Sequence, residues 1–377
     1  MNSILAIGIF NSLLFVFLLT GKNNKQRSDR ILTFWMVLFA LNLLSALFTL
    51  KLHFPVKTVS AVLTSILFIT HFPFLYIYTR SLTGGCLKCG WEQCFHFIPV
   101  ILLTAVSIPF FRLDSFRQMQ MANSAHTIPL YFIVSELIVA ITFVFYMLKT
   151  ILLLRKNEQR IRETSSYEEK VNLAWVKNLI VGFICLLLLT IITFILSDLK
   201  VFTIIVGDEV LYAGLTVIVL YVGFWGYRQG KIFYYTEPIL FETGTEHHSE
   251  KNGREITDSE KPGSELSETV VRLQHLMKEQ KPYLDPELTI VTLAARLDIH
   301  PHKLSKVINA RLQRNFFDFI NQYRVEELKY LAQHERYRQF SILAIAFEAG
   351  FNSKASFNRI FKNLTGDTPS GFIRKQK

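Results

Sequence analysis

Seven stretches of this chain are apolar over lengths comparable to a bilayer, and this restricts the fold more than any motif does. They run from Ile4 to Thr20, Ile31 to Leu52, Val59 to Leu82, Phe95 to Phe111, Ile128 to Leu154, Leu173 to Leu196 and Val210 to Tyr227. At about 1.5 Å of rise per residue each reaches across most or all of a hydrocarbon layer about 30 Å thick, the first and fourth with least to spare. Hydrocarbon offers no partner to a backbone N–H or C=O, so such segments must be helices. Half of the 377 residues are hydrophobic and 33 are Phe, an unusual composition for a chain dissolved in water. The mean hydropathy is +0.29.

Charge sets the expected orientation. The first run has no positive residue before it and Lys22, Lys25, Arg27 and Arg30 after it, the reverse of a secretory signal peptide. It reads as a retained helix with its N-terminus outside. With seven spans, the loops on the side of the C-terminus hold thirteen Lys and Arg and the opposite loops hold five. The positive-inside rule then puts the C-terminus in the cytoplasm. Residues 1–235 are expected to form a seven-helix transmembrane sensor domain in a bacterial inner membrane, with the lipid bilayer as its first partner.

From Thr236 to Glu265 the chain turns polar, with Gly244, Gly253, Pro262 and Gly263 among acids such as Glu242, Glu246, Glu250 and Asp258. This composition cannot bury a core and reads as an acidic flexible linker over 236–265. Some 30 such residues have an r.m.s. reach of roughly 30 Å. His247 and His248 read as a solvated pair.

Residues 266–377 carry an internal duplication. In TIVTLAARLDIHPHKLSKVINA, Ile290, Leu293, Ala294 and Leu297 recur at helical spacing, the pattern breaks at Asp298, and Leu304, Val307 and Ile308 resume it. In SILAIAFEAGFNSKASFNRIFKN the same happens with Ile342, Ile345, Ala346 and Ala349, a break at Gly350, then Phe357, Ile360, Phe361 and Leu364. The offset is 52 residues in the first helix and 53 in the second, so one residue is added at the turn. Gly350 suits a positive φ, and Asp is among the few other residues that tolerate one. Ser353 can cap its helix and Pro301 suits a first helical position. Phe316, Phe319, Ile320, Tyr323, Leu328 and Leu331 put an apolar stripe on a connecting helix between two helix-turn-helix units.

The outward faces of the two second helices hold the polar chemistry. One carries His302, Lys303, Ser305, Lys306 and Asn309; the other carries Lys354, Asn358, Arg359 and Lys362. Cationic and hydrogen-bonding side chains on a helix that fits the major groove are what phosphate and base recognition requires. From Arg296 to Lys377 there are 15 Lys and Arg against 7 Asp and Glu, so positive charge lies where phosphate would.

The run IAFEAGFNSKASFNRIFKNLTGDTPSGFIR, with Ala346, Gly350, Phe351, Phe357, Arg359, Phe361, Lys362, Gly366, Pro369 and Phe372, resembles the second half of the AraC/XylS transcription-regulator domain. LAARLDIHPHKLSKVIN resembles its first half and NQYRVEELKYLAQ its connecting helix. The resemblance implies that His302, Ser305 and Lys306, and then Lys354, Ala355, Asn358 and Arg359, face base edges in two successive stretches of major groove. Asp298 departs from the family's usual glycine. Ala355 offers only apolar contact, such as with a thymine methyl. The segment PFLYIYTRSL followed by HFIP is similar to the membrane halves of seven-helix regulators that carry this same C-terminal domain.

Two further groups of residues stand out in the membrane half. His71 and Glu136 are costly in mid-membrane, and their depths differ by only about one helical turn. They read either as a hydrogen bond between spans or as a site for a small-molecule or membrane signal. Cys86, Cys89, Cys94 and His96 lie within 11 residues. Their spacing allows zinc or redox chemistry, though a second CxxC is missing. Cys185, in mid-span, reads as a small apolar packer.

No phosphate-binding glycine loop, nucleophile elbow or HExxH motif occurs, and neither an enzyme nor a bound cofactor is expected. The expected architecture is all-α: a seven-helix transmembrane bundle and a cytoplasmic double helix-turn-helix domain. The expected function is a membrane-embedded one-component transcription regulator that binds double-stranded DNA. The alternative is a transporter or receptor with an appended DNA-binding domain. A flexible linker transmits no rigid push, so formation of a homodimer, which raises the local concentration of paired readers, is the economical route for the signal.

Overall fold

A computed structural model describes residues 1–23, 25–51, 56–84, 95–111, 130–167, 173–198, 207–229 and 262–376. Every regular element among them is helical, and the only β-type pairing is an isolated bridge between Ser165 and Thr289. The chain divides into two compact units, Met1–Arg155 with Leu173–Ile232, and Lys156–Asn172 with Phe233–Lys377. The linker expected over 236–265 lies outside the described residues except for its last four, which open a helix.

The first unit contains helices α1 (Asn2–Thr20), α2 (Arg27–Lys51), α3 (Val56–Leu82), α4 (Ile98–Phe111), most of α5 (Leu130–Thr164), α6 (Ala174–Asp198) and α7 (Gly207–Arg228). Six of these are long and apolar enough to cross a membrane. The exception is α4, whose 14 residues rise only about 21 Å. Large apolar side chains such as Phe10, Phe17, Phe34, Leu152 and Val217 are exposed, as lipid-facing positions are.

Inside this unit Trp35, Phe39, Phe72, Leu75 and Tyr78 are fully buried. Lipid gives helices no hydrophobic reason to associate, so polar and small residues settle where they meet. Along the α2–α3 seam Asn42 Nδ2 donates to the Thr64 carbonyl at 2.8 Å. Nearby, the Ser60 hydroxyl donates to the Ser45 carbonyl and the Thr49 hydroxyl to Ser60, both at 2.9 Å. On α7, Gly223 lets the Phe15 ring of α1 lie where a Cβ would stand.

The second unit takes the end of α5 from Lys156, then α8 (Pro262–Glu279), α9 (Ile290–Arg296), α10 (Pro301–Leu312), α11 (Phe316–Gln333), α12 (Ile342–Glu348), α13 (Lys354–Thr365) and α14 (Pro369–Gln376). The duplication is carried into the backbone. The N–H of Ile299 donates to the Ala294 carbonyl at 3.1 Å, and 52 residues later that of Phe351 donates to the Ala346 carbonyl at 3.0 Å. Such a bond closes a helix when the residue between is left-handed. Asp298 (φ +54°) and Gly350 (φ +93°) occupy that place.

Caps complete the units. Thr289 and Thr292 form a reciprocal capping box on α9, and Ser341 accepts from the Ala344 N–H to cap α12. Ser353 caps α13 through the Ser356 N–H at 3.1 Å, and Pro301 opens α10 behind His300. The apolar stripe of α11 splits in two. Phe316, Phe319 and Ile320 enter the core beneath α9 and α10, while Leu328 joins Phe317 and Val325 beneath α12 and α13. One helix thus serves both cores from different sides.

Candidate nucleic-acid interface

On α10 the buried residues are Leu304, Val307 and Ile308, at helical spacing, so the opposite face is fixed outward. His302, Lys306 and Asn309 are exposed there, and Lys303 and Ser305 are half-buried. Asn309 Nδ2 donates to the Ser305 hydroxyl at 3.3 Å. On α13, Ser356, Phe357, Ile360 and Phe361 are buried. Lys354, Ala355, Asn358, Arg359 and Lys362 are all exposed on the other side. The Arg359 guanidinium lies 5.9 Å from the centroid of the Phe317 ring, a cation–π contact that orients it. Each expected reading residue therefore sits on the outer face of the second helix of its unit.

The sequence reading missed the residue that locks this unit together. Arg324 on α11 is only 2 % exposed, and all five of its N–H groups are used. Nε donates to the Tyr283 carbonyl at 2.8 Å and Nη2 to the Asp285 carbonyl at 2.7 Å. Nη1 donates to the Ser166 carbonyl at 2.9 Å and to Asn321 Oδ1 at 3.3 Å. Nη2 also donates to the Ser166 hydroxyl at 3.0 Å. Burial lowers the Arg324 pKa to about 10, opposed by the Asp285 charge. Nearby, Glu327 accepts from Lys281 Nζ at 2.8 Å and from the Tyr283 hydroxyl at 3.0 Å. Burial, first, and this bond push the Tyr283 pKa upward.

Ser166 is itself 1 % exposed and partnered at every polar atom. Its N–H and hydroxyl both donate to the Leu288 carbonyl, at 3.2 and 2.7 Å, and its carbonyl also accepts from Asn321 Nδ2 at 3.2 Å. Just before it in sequence, Glu163 and Thr164 at the end of α5 share a cleft of about 500 Å³ with His302, Ser305, Lys306 and Asn309. A hydrogen bond between residues 158 apart leaves no periodic trace in a sequence. The available signals were weak: an arginine inside the stripe of α11, and a helical pattern running past the apolar run that ends at Leu154.

In the first unit His71 is fully buried, accepts at Nδ1 from Trp35 Nε1 at 3.2 Å and stacks on Phe39 at 4.0 Å between centroids. Glu136 lines a cavity of about 170 Å³ with Asn42, Thr64, Ser65, Thr190 and Tyr212, and His71 is not among its lining residues. Asn42 Oδ1 is buried with no hydrogen-bond partner. His96 Nδ1 lies 3.0 Å from the Tyr146 hydroxyl, whereas Cys86, Cys89 and Cys94 lie outside the described residues. Cys185 is exposed on α6 rather than packed.

Comparison with curated proteins finds no match, and comparison with solved structures finds none either. Residues 293–375, which span both turns and both outward faces, match the family model described as a helix-turn-helix domain. Residues 293–375 thus form an AraC-type helix-turn-helix domain, and this match supports a DNA-binding transcription regulator.

Proposed function

We propose that this protein is a membrane-embedded one-component transcription regulator, in which α10 and α13 read successive major-groove segments and the membrane unit receives the signal. The observation that carries the reading is the presence, in one chain, of apolar helices fit to cross a bilayer and of a double helix-turn-helix domain. His302, Lys303, Ser305, Lys306, Lys354, Ala355, Asn358, Arg359 and Lys362 are the proposed DNA contacts, with Lys306 and Arg359 foremost. The orientation proposed from charge has the N-terminus outside and the C-terminal domain in the cytoplasm of a bacterium. A homodimer on paired half-sites fits this arrangement.

For sensing, the cavity beside Glu136 is the proposed receptor. Its size suits a molecule of a few heavy atoms, and the unpartnered Asn42 oxygen calls for a hydrogen-bond donor. His71, held by Trp35, is better assigned to structure.

The test is selection of duplexes from random-sequence DNA by the full-length protein in lipid nanodiscs, followed by binding across a salt series. A shared sequence, bound more tightly than unrelated DNA at every salt concentration, is expected. Binding that depends on salt and ignores sequence would overturn the reading.

A further inference from the structure

We propose that Ser165–Ser166 is a built-in occupant of the DNA-binding unit, and that while it is docked the end of α5 keeps the first reading helix out of DNA. The inference rests on the DNA-reading function above and adds a state in which that function is withheld.

The docking is specific. Ser166 is bound through its N–H, carbonyl and hydroxyl, and Ser165 bridges to Thr289, the residue that caps α9. The surface that receives it is built around Arg324, whose guanidinium meets neutral oxygens on every side. Lone packing contacts would not require so many directed bonds. The contact is also releasable, because it is polar: when the segment leaves, water can take over the N–H groups it held.

Occlusion follows from size. A helix with its side chains is about 10–12 Å across and the major groove is about 12 Å wide, so a reading helix fills it. Glu163 and Thr164 face the same cleft as His302, Ser305, Lys306 and Asn309. With the end of α5 there, phosphates flanking the groove have no room. Glu163 also sets a carboxylate opposite the positive face that phosphate needs. Since α5 begins in the membrane unit and its residues from Lys156 belong to the DNA-binding unit, anything that withdraws this end frees the reader.

The experiment uses the full-length protein in lipid nanodiscs and a 30-base-pair duplex selected from random-sequence DNA. Ser166→Arg sets a second guanidinium against Arg324 and should eject the segment. Affinity measured by fluorescence anisotropy is expected to rise at least tenfold, and Arg359→Ala added to Ser166→Arg should cancel most of the gain. Hydrogen exchange on the wild type supplies a second readout that needs no variant. The Ser166 amide, which donates to the Leu288 carbonyl, should be protected without DNA and lose protection at saturating duplex. Equal affinity of Ser166→Arg and wild type, or protection that persists on DNA, overturns the occlusion while leaving DNA reading intact. No binding by either protein overturns DNA reading, and the occlusion falls with it. Should Ser166→Arg unfold the unit, exchange in the wild type alone decides.

Discussion

Arg324 and Ser166 stand 158 residues apart in the chain and meet through two hydrogen bonds, Nη1 to the Ser166 carbonyl at 2.9 Å and Nη2 to its hydroxyl at 3.0 Å. The same guanidinium ties the carbonyls of Tyr283 and Asp285 to α11. Arg324 therefore joins the loop ahead of α9 and the segment after α5 to the helix that serves both cores.

Replacing Arg324 by Lys should destabilise this unit by roughly 2–3 kcal/mol, because an ammonium has three donors and no fork to span five carbonyl and hydroxyl oxygens. Thermal unfolding of the second unit should shift downward, with the first unit's transition unchanged. An unshifted transition would mean that water substitutes for the lost donors.

Across pH 6 to 9 the Arg324 contact should not titrate. Its folded pKa, about 10, lies below the ordinary arginine value, so the fold disfavours the charged form. That cost is complete at any pH below about 10 and is relieved only as the pH rises past it. Exchange protection at Ser166, corrected for the intrinsic pH dependence of exchange, should be flat over this window. A step within it would assign the docking to another group.

Gly350→Ala should cost stability where Asp298→Gly should not. At Gly350 the backbone has φ +93° and a Cβ would run into the Tyr283 carbonyl, so a loss of about 2–4 kcal/mol is expected. At Asp298, with φ +54°, glycine relieves the left-handed strain and should be neutral or gain up to about 1 kcal/mol. Denaturant unfolding of the two variants reads both.

Arg359→Ala should weaken binding to the selected duplex by about 1–3 kcal/mol and relax preference at one position of the site. Lys306→Ala, if it serves a phosphate, should weaken all sequences alike and lower the salt slope by about 1. The two phenotypes are separable by binding to single-base variants of the duplex. Uniform loss in both variants would assign Arg359 to the phosphate backbone as well.

Much of this protein is local, and local features were legible in the sequence. The long apolar runs are helices, six of them long and apolar enough to cross a membrane, and the repeated break at Asp298 and Gly350 becomes a repeated left-handed turn because few residues tolerate one. The cap at Ser353 follows from a hydroxyl placed just ahead of apolar periodicity, and the structure adds Thr289 and Ser341 in the same role. The outward positions of Lys306 and Arg359 follow from the same period, since the buried residues of each helix set where the rest must point.

Tertiary structure alone decided the rest, because it depends on which distant groups share a space. The stripe of α11 looked continuous, yet Ile320 and Leu328 serve different cores, a division set by two packed units and not by spacing along one helix. Asn42 and Glu136 line one cavity while His71 takes Trp35 as its partner, a distinction of side-chain direction that membrane depth cannot make. Arg324 and Ser166 show the limit most directly. Neutral carbonyl and hydroxyl acceptors carry no charge signature for a sequence to display, and only the folded chain brings five of them around one guanidinium.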